Sequence, residues 1–459
     1  MIKLYNQLTK SVQDFVPQDQ KNVKIYTCGP TVYSYAHIGN LTAYIYWDFL
    51  VRVLKLNGYT VNRILNLTDV GHLASDADDG EDKLEKGAKK EGKTVWQIAD
   101  KYIDAFIRDY DSLALIQPQK IARATDYIEQ EQELVNNLIE KGYTYETTDG
   151  IYFDTTKFPA YADFAALDLG NLKAGARVAM SSEKKNPSDF AVWKFIHEGE
   201  DHAMRWDFLG RPGYPGWHLE CATIIHAELG GTIDIHTGGI DHIPIHHTNE
   251  IAEYECGYGK KLANYWLHNN FITVDGEKIS KSLGNTYTLD DLKEKGFTPL
   301  DYKMWVLQGQ YHTERNFTFD NLTAAKNRLL SWHNRIAARY QLESKSTHLE
   351  HPHPEQSTLD RATLLAIASN NLNSAEVLSK IDNSILSIND WKYVDDLLGL
   401  ELTKDAPEIS NETLLKILAR ETARKDKDYE KADQLRDELA AENITVLDTD
   451  QGPIWQYLK

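Results

Sequence analysis

A short polar run, His37-Ile38-Gly39-Asn40, stands directly before an apolar, aromatic-rich stretch that predicts a helix, Leu41–Leu56. A histidine and the amino terminus of a helix both donate hydrogen bonds to phosphate, and glycine lets the backbone approach a nucleotide closely. In the alternative interpretation, His37 and Asn40 only cap the helix, and on spacing alone that interpretation is favoured. The run indicates a phosphate site without establishing one.

A second polar run, KISKS at Lys278–Ser282, is followed by Leu283-Gly284-Asn285. Two lysines and two hydroxyl groups on a short loop have the charge and the hydrogen-bond donors to neutralise a triphosphate. A solvated turn would have the same composition, so the segment alone does not decide between the two. The two runs together are more informative than either alone.

The elements that must position these residues begin with a strand, a helix and a second strand. Val23–Thr27 and Val61–Leu67 have the apolar composition of strands and flank the predicted helix. This order is typical of a doubly wound α/β sheet, in which ligands bind beyond the carboxyl ends of the strands. Cys28 and Thr68 directly follow the two strands, so we expect both of them in one crevice with His37.

The remainder of the chain contains an inserted region and a helical second half. The pattern changes between roughly Asp76 and Asp207, starting with an acidic turn at Asp76–Asp82. The predicted elements are helices at Thr94–Leu115 and Asp126–Lys141, strands at Thr232–His236 and Trp266–Val274, mainly helical segments at Leu289–Lys345 and up to Lys404, and a final strand at Ile444–Leu447. A polar stretch, Ser344–Ser357, is predicted to be a linker.

The length and composition of the chain bear on its domain count, its location and the state of its cysteines. A chain of 459 residues with 42% hydrophobic content exceeds the size of one core, so two or more domains are expected. It contains no apolar run of about 18 to 20 residues and no signal-like start, which predicts no membrane contact and a cytoplasmic location. Three widely spaced cysteines, Cys28, Cys221 and Cys256, do not suggest a disulfide framework and allow reduced thiols or metal ligands.

The net charge of −19 runs against the basic footprint usual in proteins that bind nucleic acid. Net charge averages over the whole surface, however, and a large acidic protein can still present a local basic track to phosphates. The charge is therefore weak support for any function.

HIGN and KISKS, in this order and at this distance, resemble the paired signatures of class I aminoacyl-tRNA synthetases. Four further segments are similar to the core motifs of cysteinyl-tRNA synthetases: Tyr26–Tyr33 (YTCGPTVY), Gly216–Cys221 (GWHLEC), His236–Asp241 (HTGGID) and His246–Glu250 (HHTNE). The segment from Ala423 to Trp455 resembles the end of that family, so the likeness spans essentially the whole chain. One departure is Asn40, where class I enzymes usually have a second histidine; asparagine still donates a hydrogen bond.

The resemblance implies a zinc site formed by Cys28, Cys221, His246 and Glu250. Thiolates, an imidazole and a carboxylate are suitable zinc ligands, and residues at i and i+4 share one face of a helix. Without the resemblance, widely separated cysteines are more often inert core residues. Zinc would bind the thiolate of cysteine far better than the hydroxyl group of serine, which makes hydrolytic editing unnecessary.

The other implied sites follow the same motifs. Gly29, Thr68 and Trp217 would border the amino acid; His37, Gly39, Asn40, Asp241 and Lys281 would bind ATP with Mg²⁺; and His37, Asn40, Lys278 and Lys281 would be catalytic. Arg424, Asp433, Asp448 and Trp455 would face the tRNA anticodon, although without the resemblance this helix is better explained as a solvated face. Asp241 has a second interpretation as a helix cap.

The resemblance also implies the fold class and the domain order. We expect an α/β protein with a Rossmann-type catalytic domain at residues 1–285 and an insertion at about 120–205. The signature-loop and stem-contact helices at 286–345, a helical bundle at 346–405 and an anticodon-binding domain at 406–459 would follow. The implied activity is ATP-dependent activation of L-cysteine and its transfer to cysteine tRNA by a monomeric enzyme.

Three rival hypotheses remain. A ligase that joins cysteine to an amino sugar would share the zinc and ATP sites, but it would have no use for a tail resembling an anticodon-binding domain. A catalytically silent RNA-binding relative would not need intact HIGN, KISKS and all four metal ligands. A zinc hydrolase would leave the KISKS lysines unexplained, and no HExxH motif surrounds His246.

Overall fold

The computed structural model describes residues 1–70, 83–167, 183–200, 202–346, 356–405, 407–449 and 452–458; the acidic turn at Asp76–Asp82 lies outside them. The chain divides into two compact units. The first comprises Met1–Thr273, Lys278–Leu289 and Tyr311–Arg315, and the second comprises Val274–Glu277, Asp290–Gln310 and Asn316–Lys459. The four-part division predicted from the sequence stays a prediction. Within the described residues, no helix combines the length and apolar character needed to cross a membrane.

The secondary structure mixes short strands with helices of two to seven turns. In chain order, the strands are β1 (Lys3–Asn6), β2 (Ser11–Asp14), β3 (Asn22–Thr27), β4 (Thr60–Leu67), β5 (Lys120–Arg123), β6 (Thr144–Glu146), β7 (Gly150–Phe153), β8 (Phe190–Phe195), β9 (Trp206–Phe208), β10 (Arg211–Pro215), β11 (Ile233–Gly239), β12 (Ala263–Asn269), β13 (Ile272–Val274), β14 (Glu277–Lys278), β15 (Arg315–Phe317), β16 (Ile444–Leu447) and β17 (Ile454–Tyr457). The helices are α1 (Ile38–Leu56), α2 (Lys83–Glu91), α3 (Val95–Ser112), α4 (Ile128–Glu140), α5 (Leu219–Leu229), α6 (His246–Tyr258), α7 (Leu289–Glu294), α8 (Pro299–Leu307), α9 (Phe319–Ser346), α10 (Arg361–Ser369), α11 (Ser374–Asp382), α12 (Ile388–Leu398), α13 (Asn411–Lys425) and α14 (Tyr429–Ala441).

A parallel sheet of order β12-β11-β3-β4-β5 forms the centre of the first unit. β3 and β11 lie inside the sheet, and Val23, Ile25, Ile233 and Ile235 on them are fully buried, as expected for strands covered on both faces. α1 connects β3 to β4, which requires a crossover because the two strands are parallel. The predicted doubly wound α/β fold is therefore confirmed.

The strand β5 was not predicted. Lys120–Arg123 lies where the sequence analysis begins the insertion, yet it pairs in parallel with Ile64–Leu67 of β4 at the edge of the central sheet. Its four residues are only half apolar, so they carry no strand signal of their own, and their pairing depends on β4. The strands that follow, β6 to β10, form a separate antiparallel sheet of order β6-β7-β8-β10-β9.

The segment Trp266–Val274, predicted as one strand, forms two. β12 ends at Asn269, and the backbone N–H of Asn270 donates to Tyr311 O at 2.7 Å. β13 then joins the three-stranded sheet β14-β13-β15. The side chain of Phe271 between the two strands is 49% exposed, so this apolar residue marks a break and not a buried strand interior.

The second unit is mainly helical and ends in a small hairpin. β16 and β17 pair antiparallel, which confirms the predicted strand at Ile444–Leu447. A buried cluster joins this hairpin to α9, α13 and α14, and its members are Ala337, Ile417, Leu439, Ile444 and Trp455. The C-terminal helices and hairpin thus share one core with the long helix α9.

Candidate active site

The two polar runs lie side by side in the first unit. The backbone N–H of Ile38 donates to Tyr287 O at 2.8 Å, which holds the chain after KISKS against the start of α1. A Cβ atom on Gly39 would come within 2.9 Å of Ile279 Cδ1 and of the His37 ring, so a side chain there would crowd both of them. The fold therefore joins two signatures that are far apart in sequence.

His37 and Asn40 form the helix cap that spacing alone favoured. His37 Nδ1 accepts from the backbone N–H of Asn40 at 3.3 Å, and Asn40 Oδ1 accepts from the backbone N–H of His37 at 3.1 Å. The capping interpretation is confirmed, and it is compatible with a role toward phosphate. An Nδ1 atom that accepts a hydrogen bond carries no proton, so the proton of neutral His37 resides on Nε2 as a donor.

The KISKS loop is held at its base by Asn285. Its side-chain oxygen accepts from the backbone N–H of Ser280 at 2.8 Å, and its amide group donates to Lys278 O at 3.1 Å. Lys278 is exposed at the end of β14, and Lys281 begins a single 3₁₀ turn, although its side chain lies outside the described part of the chain. The asparagine after KISKS therefore has a structural function that the sequence alone did not reveal.

Asp241 lies beyond the carboxyl end of β11, inside the short 3₁₀ helix Ile240–His242, and is exposed. A Cβ atom on Gly239 would come within 2.4 Å of Asp241 Oδ1, so the glycine makes room for this carboxylate. Its position directly after a strand is the one that the sequence predicted, and its role toward ATP stays a prediction.

Four potential metal-binding side chains converge beneath this crevice. Cys28 follows β3, Cys221 lies in the first turn of α5, and His246 and Glu250 lie one turn apart on α6. The Sγ atoms of the two cysteines are 4.0 Å apart, Cys221 Sγ is 3.6 Å from His246 Nε2, and Cys28 Sγ is 3.9 Å from Glu250 Oε1. All four residues are buried, and their donor atoms lie within 4.8 Å of one another. The cluster could hold a metal ion.

A second donor set overlaps the first. It keeps Cys28 and Glu250 and replaces the others with His236 and His247. Cys28 Sγ is 3.3 Å from His247 Nε2, and Glu250 Oε2 is 2.7 Å from His236 Nε2. The sequence analysis did not single out His236, and it considered His247 only with His246 and Glu250 in the rejected hypothesis of a zinc hydrolase.

Hydrogen bonds from neighbouring histidines orient the cluster. His246 Nδ1 is 2.9 Å from His218 Nδ1, and His247 Nδ1 is 2.8 Å from His268 Nε2. A metal-binding histidine commonly uses its other ring nitrogen in this way, because the second hydrogen bond fixes the tautomer and the ring orientation. The ring of Trp217 also stacks on His246 with centroids 4.7 Å apart, which places this predicted residue beside the cluster.

Electrostatics favour the ionised forms of Cys28 and Glu250, whereas burial and the neighbouring Cys28 raise the pKa of the Cys221 thiol well above its usual value. Burial opposes ionisation of the Cys28 thiol, but its hydrogen bond with Cys221 and the charges of His247 and His236 hold its pKa well below the usual value. Burial likewise opposes ionisation of Glu250, yet the charges of His246 and His236 lower its pKa to about 2. Thiolate and carboxylate are the forms that bind cations.

The predicted amino-acid residues Gly29 and Thr68 lie over a buried polar network. The backbone N–H of Gly29 donates to Asn66 Oδ1 at 2.7 Å, and Asn66 Nδ2 donates to Glu220 Oε1 at 3.1 Å. The hydroxyl group of Thr68 donates to the same carboxylate oxygen. Glu220 was missed by sequence analysis; its position between Trp217 and Cys221 in GWHLEC was the available signal.

The four residues predicted to face an anticodon all lie in the second unit, but they do not form one exposed surface. Arg424 and Asp448 form an ion pair, and Arg420 donates to the same carboxylate at 2.8 and 3.2 Å. Asp433 is exposed and pairs with Arg436 at 2.9 Å. Trp455, in contrast, is only 6% exposed and belongs to the buried cluster.

Comparison with known proteins identifies the family. The family model described as the class I (C) tRNA synthetase catalytic domain matches residues 14–327. The chain is 36% identical over its whole length to a cysteine–tRNA ligase of Treponema denticola, all of which is covered. The chain belongs to the cysteinyl-tRNA ligase family. A cysteine–tRNA ligase of Burkholderia lata is 39% identical over 98% of this chain and 96% of its own.

The C-terminal part has its own match within the cysteinyl-tRNA ligase family. The model described as the cysteinyl-tRNA ligase anticodon binding domain matches residues 411–455, which include α13, α14 and β16. A solved structure of Mycobacterium tuberculosis methionyl-tRNA synthetase with methionyl-adenylate is similar in fold, with a TM-score of 0.58 at 16% identity. The similarity covers 87% of this chain and 94% of that one. The class I synthetase fold expected from the sequence is therefore confirmed.

Proposed function

We propose that this enzyme activates L-cysteine with ATP and transfers the cysteinyl group to the 3′-terminal ribose of cysteine tRNA. The observation that carries the proposal is the buried cluster of Cys28, Cys221, His246 and Glu250 at the base of the crevice that HIGN and KISKS border. A thiol-binding site beside a phosphate-binding site is what the activation of cysteine requires. Family membership supports the same substrate.

We assign the metal of this cluster as zinc, bound by Cys28, Cys221, His246 and Glu250. With Zn–S bonds of ~2.3 Å and Zn–N or Zn–O bonds of ~2.0 Å, a tetrahedral site places ligand atoms ~3.3–3.8 Å apart. Of the observed separations, 3.6 Å lies within this range and 3.9 and 4.0 Å lie slightly above it, whereas His246 Nε2 and Glu250 Oε1 at 2.7 Å would have to separate. When bound, zinc would take the substrate thiolate as a further ligand and so disfavour serine.

Activation requires positioning and charge neutralisation, without an enzyme nucleophile. The carboxylate of cysteine attacks the α-phosphate of ATP in line, and pyrophosphate leaves. His37, held by its cap, and the lysines Lys278 and Lys281 would stabilise the negative charge that develops, with Asn40 donating a further hydrogen bond. Gly39 and Asp241 would border the nucleotide. The terminal ribose hydroxyl group then attacks the acyl carbonyl carbon, and AMP leaves.

Gly29, Thr68 and Trp217 would surround the amino acid. Thr68 donates its hydroxyl proton to Glu220, so the oxygen presents its lone pairs, which suits the ammonium group of a substrate. Trp217, stacked on His246, would close one wall of the pocket. We expect Mg²⁺ to accompany ATP, and we assign no side chain to it.

We propose that α13, α14 and the hairpin bind the anticodon of the tRNA. Arg424, Asp433 and Asp448 supply polar groups for base edges, and the buried Trp455 supports the hairpin that carries them. Tyr429, which the sequence analysis missed, is 64% exposed at the start of α14 and is the better candidate for stacking on an unpaired base. A monomeric, cytoplasmic enzyme remains our expectation.

Charging of cysteine tRNA by the purified protein tests the proposal, with labelled cysteine or serine, ATP and Mg²⁺. Charging with cysteine alone, lost in Cys221→Ser together with zinc, is the expected result. If cysteine drives exchange between ATP and pyrophosphate but no tRNA is charged, the adenylate has another acceptor, such as an amino sugar. Absence of both reactions would refute the proposed activity.

A further inference from the structure

An aromatic and basic cluster lies at the edge of the active site, outside the two signatures and the four core motifs quoted above. Tyr35, in the loop before α1, contacts Tyr102 of α3 edge to face, with ring centroids 5.0 Å apart and planes at 84°. Lys101 Nζ lies 5.6 Å from the centre of the Tyr35 ring and 5.0 Å from that of Tyr102. Glu91 holds this ammonium group at 2.8 and 3.0 Å. We call these residues the aromatic platform.

The platform is exposed, and its position is tied to the nucleotide signature. Tyr35 is 46% exposed, so almost half of its side chain is available for contact. It stands two residues before His37, and two residues span at most about 7 Å of chain. Tyr35 therefore lies close to the residue that we assign to the phosphates of the nucleotide.

The segment between the acidic turn Asp76–Asp82 and α3 is basic although the chain is acidic. From Glu85 to Lys101, five lysines oppose three carboxylates, in a chain whose net charge is −19. The four lysines before α3 are exposed: Lys86, Lys89, Lys90 and Lys93. Their density on α2 and the turn after it forms the kind of local basic track that phosphate groups require.

We infer that the aromatic platform and the lysines of α2 bind the single-stranded 3′ end of the tRNA. An unpaired nucleotide has a base that stacks on an aromatic ring and a phosphate that pairs with lysine, and the cluster offers both groups together. The inference rests on the proposed tRNA charging, because only that reaction brings a polynucleotide end to the adenylate. Tyr35 and Tyr102 would stack bases, and Lys89 and Lys90 would contact the phosphates that precede them.

Tyr35→Ala and Tyr102→Ala test the platform in the full-length enzyme, with Tyr35→Phe as the conservative control. Loss of one base stack costs ~1–3 kcal/mol, so kcat/KM for tRNA should fall about tenfold. Cysteine-dependent exchange between ATP and pyrophosphate should stay within about twofold. Tyr35→Phe should charge tRNA normally, as should Phe271→Ala, which removes an exposed aromatic ring elsewhere in the first unit.

Binding to tRNA with and without its last four nucleotides identifies what the platform contacts. Each alanine variant should bind intact tRNA more weakly and truncated tRNA as well as the wild type does. Lys89→Gln with Lys90→Gln should reduce the salt dependence of binding to intact tRNA.

An equal loss of affinity for both tRNAs would overturn the inference, as would a parallel fall in exchange, which would assign the platform to the adenylate site. A wild-type enzyme that performs exchange but charges no tRNA would refute the proposed function and this inference with it.

Discussion

Glu220 is the residue on which the amino-acid pocket depends most directly. Its carboxylate is 3% exposed and accepts hydrogen bonds from Thr68 and from Asn66, which in turn accepts from the backbone of Gly29. Burial raises its pKa to about 8, against the opposing effect of the hydrogen bond from Thr68. The side chain of Glu220 therefore orients Thr68 and Asn66 directly, and it orients Gly29 through Asn66.

Replacing Glu220 tests this dependence. Glu220→Ala leaves two buried donors without an acceptor, at a cost of ~1–3 kcal/mol, and should raise the KM for cysteine in the exchange reaction about tenfold or more. Glu220→Gln keeps an acceptor oxygen and should lose much less. The KM for ATP should not change in either variant. Equal losses in both variants would mean that an acceptor oxygen at this position is not sufficient to orient the pocket.

The two overlapping donor sets predict different metal ligands. If Cys221 and His246 complete the site, Cys221→Ser should lose bound zinc and His247→Gln should retain it. If His236 and His247 complete the site, His247→Gln should lose bound zinc and Cys221→Ser should retain it. Metal analysis of the purified variants, with circular dichroism to confirm folding, distinguishes these outcomes. We expect the first, because its separations of 4.0, 3.9 and 3.6 Å lie within about 0.4 Å of those in a tetrahedral zinc site.

At the scale of an element, the start of α12 depends on an ionised carboxylate. Asp390 accepts from the backbone N–H of Ser387 at 3.0 Å, and Arg361 donates to Asp390 at 2.7 Å. Partial burial opposes ionisation, but hydrogen bonds from Ser357 and Ser387 and the contact with Arg361 lower the pKa of Asp390 to about 2. Since the pKa is about 3.9 in an unfolded chain, ionised Asp390 stabilises the folded state at neutral pH.

This stabilisation should disappear as the pH falls from about 4 to about 2. Asp390→Asn should therefore speed hydrogen exchange in residues 387–398 at neutral pH, whereas at about pH 2.5 the variant and the wild type should differ little. Hydrogen exchange with mass spectrometry, corrected for the intrinsic pH dependence, measures the difference. Glu408→Gln, which changes an exposed carboxylate outside the helices, is the control and should have no effect. A difference that persists in acid would contradict the assignment.

The aromatic residues Tyr429 on α14 and Trp455 on the hairpin are expected to have different functions. Trp455 is buried against α9, α13 and α14, so Trp455→Ala should destabilise the C-terminal part by ~3–5 kcal/mol. Tyr429 is exposed, so Tyr429→Ala should leave thermal stability unchanged while weakening tRNA binding about tenfold. Thermal unfolding and tRNA binding, measured on both variants, separate the two functions. Weaker binding without destabilisation in Trp455→Ala would return the stacking function to Trp455.

At the scale of the whole molecule, the proposed recognition of the anticodon and the proposed activation of cysteine lie on different parts of the chain. Residues 406–459 contain α13, α14 and the hairpin, and none of them belongs to the first unit. Deleting them should abolish charging of tRNA and leave cysteine-dependent exchange largely intact. Charging that survives the deletion would remove the C-terminal region from tRNA recognition. Loss of exchange as well would show that the catalytic part depends on this region.

Local patterns in the sequence were sufficient for much of the fold. The buried strands at Val23–Thr27 and Val61–Leu67, the helix between them and the strand at Ile444–Leu447 are confirmed because apolar periodicity is a local property. β5 was missed, because a four-residue edge strand forms through its neighbour. The break at Asn269 and Asn270 was also missed, because its hydrogen bond to Tyr311 is a long-range contact.

The sequence by itself determined the family, the signature residues and the types of ligand that the site offers. Only the tertiary structure decided which of them meet: Cys28 and Cys221 are 193 residues apart and approach within 4.0 Å because long-range packing brings the first turn of α5 to the end of β3. The tertiary structure also decided that Glu220 accepts a hydrogen bond from Thr68, that Trp455 is buried and that the ring of Tyr35 contacts the ring of Tyr102. Burial and long-range contacts depend on tertiary packing, and a short stretch of sequence does not specify that packing.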